Sequence, residues 1–499
     1  MPETITQQKR FPQWLPITLI LLLAAGLYFY ELGTESLWVD ELLSIDDAKN
    51  LEFNKLIRGK NSRPVYYIML RFWMQFGSSE VWLRGLCLLF SLGSIFLIYR
   101  LASRLLGTPT ATIASLIAAL SPLFIHHAQE VRMYAPSTFF TLGGTLLMAY
   151  VLETPTPKLM GLWAGARLLG ILTTPLNLLM LFPDTVLVGW KFRRERRVLL
   201  GFAVCLVAIA LLWLPVAIPL AFGSGPQFMT DPKSDSINIS PGIFDVIFQL
   251  TRFTVWPFGR PISETIYWFY KFYSLILVGL LGVALLSHRQ NQERSTKIYW
   301  VAAWGILPLI PLLITSEVSR TLWKDRYLLF TSPYLFILLA VGLLYIWQRQ
   351  RLGAMAIAFV YTVAIAGGLM RYHKVLDRAD WRGVVQTIET KEQPGDTILW
   401  ALDQIRPVAL NHYYDGSSTI EIESAPPYNS EVTAMEQWFN DLPSNSDRFW
   451  LVCPVSEDNS EIFRTVLEQK FQVQSEQVFK GENGSMQLLG LTRRDTSRE

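Results

Sequence analysis

Residues 159–190, LMGLWAGARLLGILTTPLNLLMLFPDTVLVGW, decide how the chain is threaded. One helix of that length would be about 48 Å long, well beyond a bilayer core of about 30 Å. Thr173-Thr174-Pro175 supplies a turn, because proline disfavours a helical residue before it. Two short, tilted helices, 159–173 and 176–190, are therefore expected, with Arg167 facing protein or water. The choice sets the parity of every later loop. With two helices, the basic run Lys191-Phe192-Arg193-Arg194-Glu195-Arg196-Arg197 falls on the same side as Lys9-Arg10, Arg100, Arg104, Lys158, Arg289, Arg294, Lys297, Arg349 and Arg351. Positive residues in short loops mark the cytoplasmic face. With one helix, the run would lie outside, against that rule.

The whole chain has 499 residues, 51% of them hydrophobic and 13% aromatic. Repeated uncharged runs of about 20 residues mark spanning helices, so the expected fold is a polytopic α-helical membrane protein. Eleven spans are read: 14–31, 80–99, 110–126, 134–152, 159–173, 176–190, 198–220, 269–286, 298–315, 327–347 and 352–370. The net charge of +3 and the absence of a basic stripe interleaved with aromatics exclude a nucleic-acid partner. Cys87, Cys205 and Cys453 lie far apart and form neither a disulfide framework nor a zinc spacing. Lys9 and Arg10 precede an apolar run without a cleavage site, so that run is expected to stay as a first span.

The membrane domain is read as residues 1–371, with a first external loop at 32–79. In that loop Leu42, Leu43, Ile45, Ala48, Leu51, Leu56 and Ile57 recur at near-helical spacing, which predicts amphipathic helices on the membrane surface. Pro64 to Phe76 is too short to span and reads as interfacial or re-entrant. After Arg371 charged residues crowd in. Helices at 383–392, 431–439 and 461–470 alternate with strands at 397–401, 448–452 and 486–491. This predicts a small α/β domain over 372–499, on the same side as the first loop.

Four polar clusters interrupt apolar sequence, all on the outer face of this topology: Asp40-Glu41, Asn61-Ser62-Arg63-Pro64 with Tyr66 and Tyr67, His126 to Tyr134, and Lys324-Asp325-Arg326-Tyr327. Two adjacent carboxylates beside a membrane segment are costly there and tend to mark a site. Arginine is a bidentate partner for phosphate, and a carboxylate accepts a proton from a hydroxyl or amine. Together the clusters suggest a site that holds an anionic lipid headgroup and activates an acceptor. His126, His127 and Glu130 are metal-ligand types, but adjacent histidines lack the i, i+4 spacing of a helical zinc pair. Trp256-Pro257-Phe258-Gly259 either lines a groove or tucks a loop onto the membrane interface.

The clusters carry a resemblance. Leu37-Trp38-Val39-Asp40-Glu41, Gln129-Glu130-Val131-Arg132-Met133-Tyr134, Arg63-Pro64 and Arg326-Tyr327-Leu328-Leu329 resemble motifs of the GT-C glycosyltransferases, in the group of protein O-mannosyltransferases and lipid A aminoarabinose transferases. Val131 stands where alanine is commoner, and some members have lysine at Arg63. The resemblance covers roughly residues 10–370.

It implies inverting transfer of a hexosyl or pentosyl group from a polyprenyl-phosphate donor to a protein, lipid or glycan acceptor, outside a bacterial inner or plasma membrane. Asp40 would be the general base, and Glu41 would position the acceptor, the loop or a metal. Arg63, Arg132 and Arg326 would hold the donor phosphate, with Tyr66, Gln129, Glu130 and Tyr327 against substrate. A divalent metal is the one cofactor raised, and the resemblance assigns it no ligand set. The competing reading is a lipid or polysaccharide transporter with an external domain. It expects polar residues deep in several spans and repeated halves, whereas only Arg84, Arg167 and a few small polar groups are found there.

Overall fold

The computed structural model of the chain describes residues 14–50, 52, 63–222, 242–255, 264–286, 291–318, 323–374, 378–400, 408–416, 419–421, 432–442, 446–454, 460–481 and 484–494. Lys9-Arg10, Asn61-Ser62, Leu56-Ile57 and Trp256 to Gly259 lie outside the described residues. The chain divides into two compact units: Met1–Leu32 with Asp47–Val375, and Gly33–Asp46 with Leu376–Glu499. The segment Gly33–Asp46, expected within the first loop of the membrane domain, thus groups with the C-terminal residues.

In the first unit every one of the eleven apolar stretches is helical. Among the described residues seven helices are long and apolar enough to cross a membrane: Glu80–Leu106, Tyr134–Glu153, Arg196–Pro219, Glu264–Leu286, Gln292–Ser316, Asp325–Arg349 and Arg351–Lys374. The pair Thr108–Leu120 and Pro122–Ala128, bent by 63°, makes an eighth if it is taken as one broken span. The other three stretches, Leu15–Phe29, Pro157–Thr173 and Leu181–Lys191, are shorter helices. Of the eleven expected spans seven or eight meet this length, and the two helices expected to be short, Pro157–Thr173 and Leu181–Lys191, are among those that do not. The stretch 159–190 does divide after Thr173, and a 3-10 turn, Pro175–Met180, takes up the start of its second half.

Local chemistry places these breaks. Ser79 starts Glu80–Leu106 by accepting the Trp82 amide, and Gly107, at φ +94°, ends it directly before Thr108-Pro109. Ser121 caps Pro122–Ala128 through the Phe124 amide, and its hydroxyl donates to the Phe253 carbonyl at 2.6 Å. Gly342 is needed for close approach: a Cβ there would lie 2.2 Å from the Leu280 carbonyl oxygen. Pro64–Met74 is a helix too short to span, as expected, with Tyr66, Tyr67 and Leu70 buried. Val39–Asn50 is the predicted amphipathic helix, but Leu42, Ile45 and Ala48 are 1%, 4% and 0% exposed. Its apolar face is buried in protein, not laid on a membrane surface. Either surface satisfies the same hydrophobic drive.

The second unit holds a five-stranded sheet of order β2-β1-β3-β5-β4, with β1 Thr397–Trp400, β2 Thr419–Glu421, β3 Arg448–Pro454, β4 Phe471–Gly481 and β5 Gly484–Arg493. β1 pairs in parallel with β2 and β3, and β5 runs antiparallel to β3 and β4. Phe439, Phe449, Phe463, Leu467, Phe471 and Leu491 form its core. The α/β expectation agrees with this sheet, although β2 and β4 were not foreseen.

One polar knot closes the helical unit. Arg167 Nε and Nη2 donate to Asp184 Oδ2 and Oδ1 at 2.7 and 3.2 Å. Its Nη1 reaches the Thr141 carbonyl, and Nη2 also reaches the Thr145 hydroxyl, both at 2.9 Å. Asp184 also accepts the indole N–H of Trp163 at 2.9 Å and of Trp304 at 3.0 Å. Both charged side chains are 1% exposed or less. Removing one partner of such a pair strands a buried charge and costs about 3–5 kcal/mol. Asp184→Asn should therefore lower the thermal midpoint of the purified protein in detergent, and Arg167→Met combined with Asp184→Leu should recover part of the loss. An unchanged midpoint in the single variant would show that the knot is dispensable.

Candidate active site

Pro122–Ala128 ends where the Gln129 amide turns back to the carbonyls of His126 and Ile125. A second tight contact, Arg132 N–H to Glu130 O at 2.8 Å, leads into Tyr134–Glu153. Residues 129–134 are thus a compact turn between two helices. Gln129 is the tie in it. Its amide nitrogen donates to the carbonyls of Tyr28 and Tyr30 at 3.1 and 2.8 Å, and its oxygen accepts the Tyr372 hydroxyl at 2.7 Å. That use is structural, so the structure gives no support to its expected substrate contact. Glu130, 1% exposed, lies 2.8 Å from His127 Nδ1.

Around this turn the arginines converge. The Pro64–Met74 helix presents Tyr66 and Tyr67. Arg63 hydrogen-bonds the Tyr67 phenol, and the charge of Arg132 acts on both Tyr66 and Tyr67. Arg132 and Arg326 both act on Tyr134. Arg326 sits over the Tyr327 ring at 5.4 Å, and that ring is 6.5 Å from Tyr134. Arg63, Tyr66, Glu130, Arg132, Arg326 and Tyr327 therefore share one neighbourhood. Burial pushes the Tyr66 and Tyr67 phenols up from their ordinary value, against the nearby arginines, so both remain O–H donors at neutral pH. The Tyr66 hydroxyl is buried with no hydrogen-bond partner among the described residues. Arginine guanidinium groups and phenol donors at the edge of an apolar bundle suit a phosphate oxyanion.

The fourth cluster is anchored by residues the sequence reading missed. Asp325 accepts the Gln249 side-chain amide at 2.8 Å and pairs with Arg252 at 3.4 Å. Asp245, Gln249 and Arg252 recur at four- and three-residue spacing in Ile243–Val255, a polar stripe that was available as a signal.

Asp40 and Glu41 belong to the second unit. Glu41 is fully buried, accepts the Trp38 amide at 3.1 Å and pairs with Arg378 at 3.3 Å. Arg378 also approaches Glu35 at 3.5 Å. Nearby, Arg382 Nη2 donates to the Gly33 carbonyl at 3.2 Å, and the Tyr413 hydroxyl accepts the Leu37 amide at 2.8 Å. Glu41 is thus a clamp within its unit, while Asp40 is only half-buried in the first turn of its helix. Arg378 was visible in the charged window after Arg371, but no local spacing links it to Glu41.

Residues 61–218 match the family described as dolichyl-phosphate-mannose-protein mannosyltransferase, a stretch that includes Arg63, Tyr66 and the whole 129–134 turn. The crystal structure of ArnT from Cupriavidus metallidurans in the apo state superposes with a TM-score of 0.59 at 14% identity, over 95% of this chain and 97% of ArnT. The chain has the GT-C fold. A second ArnT structure with the same GT-C fold, bound to undecaprenyl phosphate, gives a TM-score of 0.58 at 15% identity over the same shares. An uncharacterized protein of Aquifex aeolicus (strain VF5) is 33% identical over 133 residues, 24% of this chain and 27% of that relative, so the match spans under a third of the curated relative.

If Glu41 is a clamp in this GT-C chain, Glu41→Gln and Arg378→Ala should each loosen the second unit by about 1–3 kcal/mol. Hydrogen exchange should speed up across 33–46 in both variants. Unchanged protection in both would remove the structural assignment.

Proposed function

We propose that the chain is a membrane glycosyltransferase that moves a sugar from a polyprenyl-phosphate donor to an acceptor, with inversion, on the extracytoplasmic side of a bacterial plasma or inner membrane. The observation that carries this reading is the convergence of Arg63, Arg132 and Arg326 on buried tyrosines at the edge of an apolar bundle. The family match over 61–218 and the ArnT-like fold support it.

In this reading the acceptor hydroxyl or amine attacks the anomeric carbon while the bond to the phosphate oxygen breaks. The acceptor proton passes to the Asp40 carboxylate, and the electron pair leaves on polyprenyl phosphate. Arg63, Arg132 and Arg326 take up the charge that grows on the leaving phosphate, and Tyr66 and Tyr327 contact the donor. A phosphate leaving group needs little protonation, so one carboxylate base is enough and no covalent sugar intermediate is required.

The position of the basic residues supports an outward-facing site. Tyr134–Glu153 begins beside Arg132 and ends at Glu153, which pairs with Arg104. Asp325–Arg349 begins with Arg326 and ends at Arg349. Twenty helical residues are about 30 Å long, so the arginine cluster and the loop-type basic residues lie at opposite ends of the same helices. If the latter face the cytoplasm, the cluster faces outward.

Asp40→Asn should abolish release of free polyprenyl phosphate from a polyprenyl-phosphate sugar in liposomes while leaving donor binding within about twofold. Arg132→Ala and Arg326→Ala should each weaken donor binding about tenfold, the loss of one charge-assisted contact. Full turnover in the Asp40 variant would remove the base assignment, and unaltered donor affinity in both arginine variants would remove the phosphate site.

A further inference from the structure

We propose that His126, His127 and Glu130 form a zinc-binding site within the helical unit. It goes beyond sugar transfer and stands or falls independently of it. One ligand atom from each of the three side chains can be chosen so that all lie within 4.8 Å of one another. The spacing allows this geometry. Glu130 stands four residues after His126 and three after His127, separations that are neighbours on a helical turn. The imidazoles of these adjacent helical residues meet edge to face with centroids 5.0 Å apart, and Glu130 lies toward both. Its Oε2 lies 2.8 Å from His127 Nδ1 and 4.0 Å from His126 Nε2.

The donor set decides the ion. Two imidazole nitrogens and one carboxylate suit zinc, whereas magnesium and calcium prefer all-oxygen shells. Three protein ligands with a fourth position open are the usual composition of a reactive zinc site. Bonds of about 2.0–2.2 Å set the donors about 3.3 Å apart, so small side-chain rotations close the site. His127 and Glu130 are 5% and 2% exposed at their side chains, while His126, at 27%, leaves an entry path. The rings of Tyr134, 5.0 Å from His127, and Tyr372, 6.3 Å from His126, wall it.

His127 Nδ1 lies beside Glu130, but its Nε2 is buried with no hydrogen-bond partner among the described residues. On binding, zinc displaces the proton shared between imidazole and carboxylate, and that proton goes to solvent.

The test uses full-length protein purified without a polyhistidine tag, stripped with a chelator and titrated with zinc against a chromophoric competitor. Wild type should bind one zinc per chain. His126→Ala, at the partly exposed position, and Glu130→Gln should each weaken binding at least about 100-fold, the upper end of what even outer-shell losses cost. His412→Ala, in the other unit, should not change it. Cobalt(II) added to wild type should give the visible bands of a tetrahedral or five-coordinate ion, and these should vanish in His126→Ala. Equal thermal midpoints of stripped wild type and His126→Ala establish that the variant is folded. If it is not, loss of the cobalt bands in Glu130→Gln alone decides. No zinc on wild type, or equal affinity in the folded variants, overturns the site.

Discussion

The bidentate pair between Arg167 and Asp184 is the constraint on which the helical unit depends. An ionised residue in an apolar span is costly, and it commonly marks an ion or proton path. Here both side chains are buried and held by several partners. The Thr141 carbonyl and the Thr145 hydroxyl take two more guanidinium protons, and two indoles complete the carboxylate shell. The pair therefore holds the short helix Pro157–Thr173 against its successor Leu181–Lys191, and it ties both to Tyr134–Glu153 and Gln292–Ile306. Asn177 reinforces the turn, bonded to Ser137, Thr141 and the Gly170 carbonyl. Because the chain folds back here, every later helix inherits its direction from this knot.

The candidate site lies elsewhere, at helix ends. Helix ends are where charged side chains can meet water and headgroups, while helix interiors satisfy their backbone groups internally, as lipid requires. The turn at 129–134 serves both demands. Gln129 satisfies backbone carbonyls at the end of Leu15–Phe29, and the neighbouring Glu130 and Arg132 supply the charge. Arg132 is the hinge of the cluster, because it reaches the tyrosines of Pro64–Met74 on one side and Tyr134 on the other.

Much of this was legible from local pattern. All eleven apolar stretches are helical, since hydropathy and the 3.6-residue period are properties of a dozen neighbouring residues. What local pattern could not supply was length across breaks: Ser121-Pro122 bends one stretch by 63°, and the turn at Pro175–Met180 shortens another. It also could not say what covers an apolar face. The stripe of Leu42, Ile45 and Ala48 reads alike whether lipid or protein lies over it. β4 escaped notice because it lies at the sheet edge, where Phe471 and Phe479 are buried but most residues between are polar and exposed.

The sequence by itself determined that the chain is helical and membrane-spanning, where the short helix pair divides, and which polar residues interrupt the apolar runs. Each follows from composition within one turn or one span. Tertiary structure alone decided the partners. Glu41 meets Arg378 across 337 positions, and Asp184 meets Trp304 across 120. Such contacts have no periodic signature, because loop closure lets residues of any separation meet. At short range the reverse holds: Glu130 stands four residues after His126 and three after His127, neighbours on a helical turn, and one ligand atom of each lies within 4.8 Å of the others.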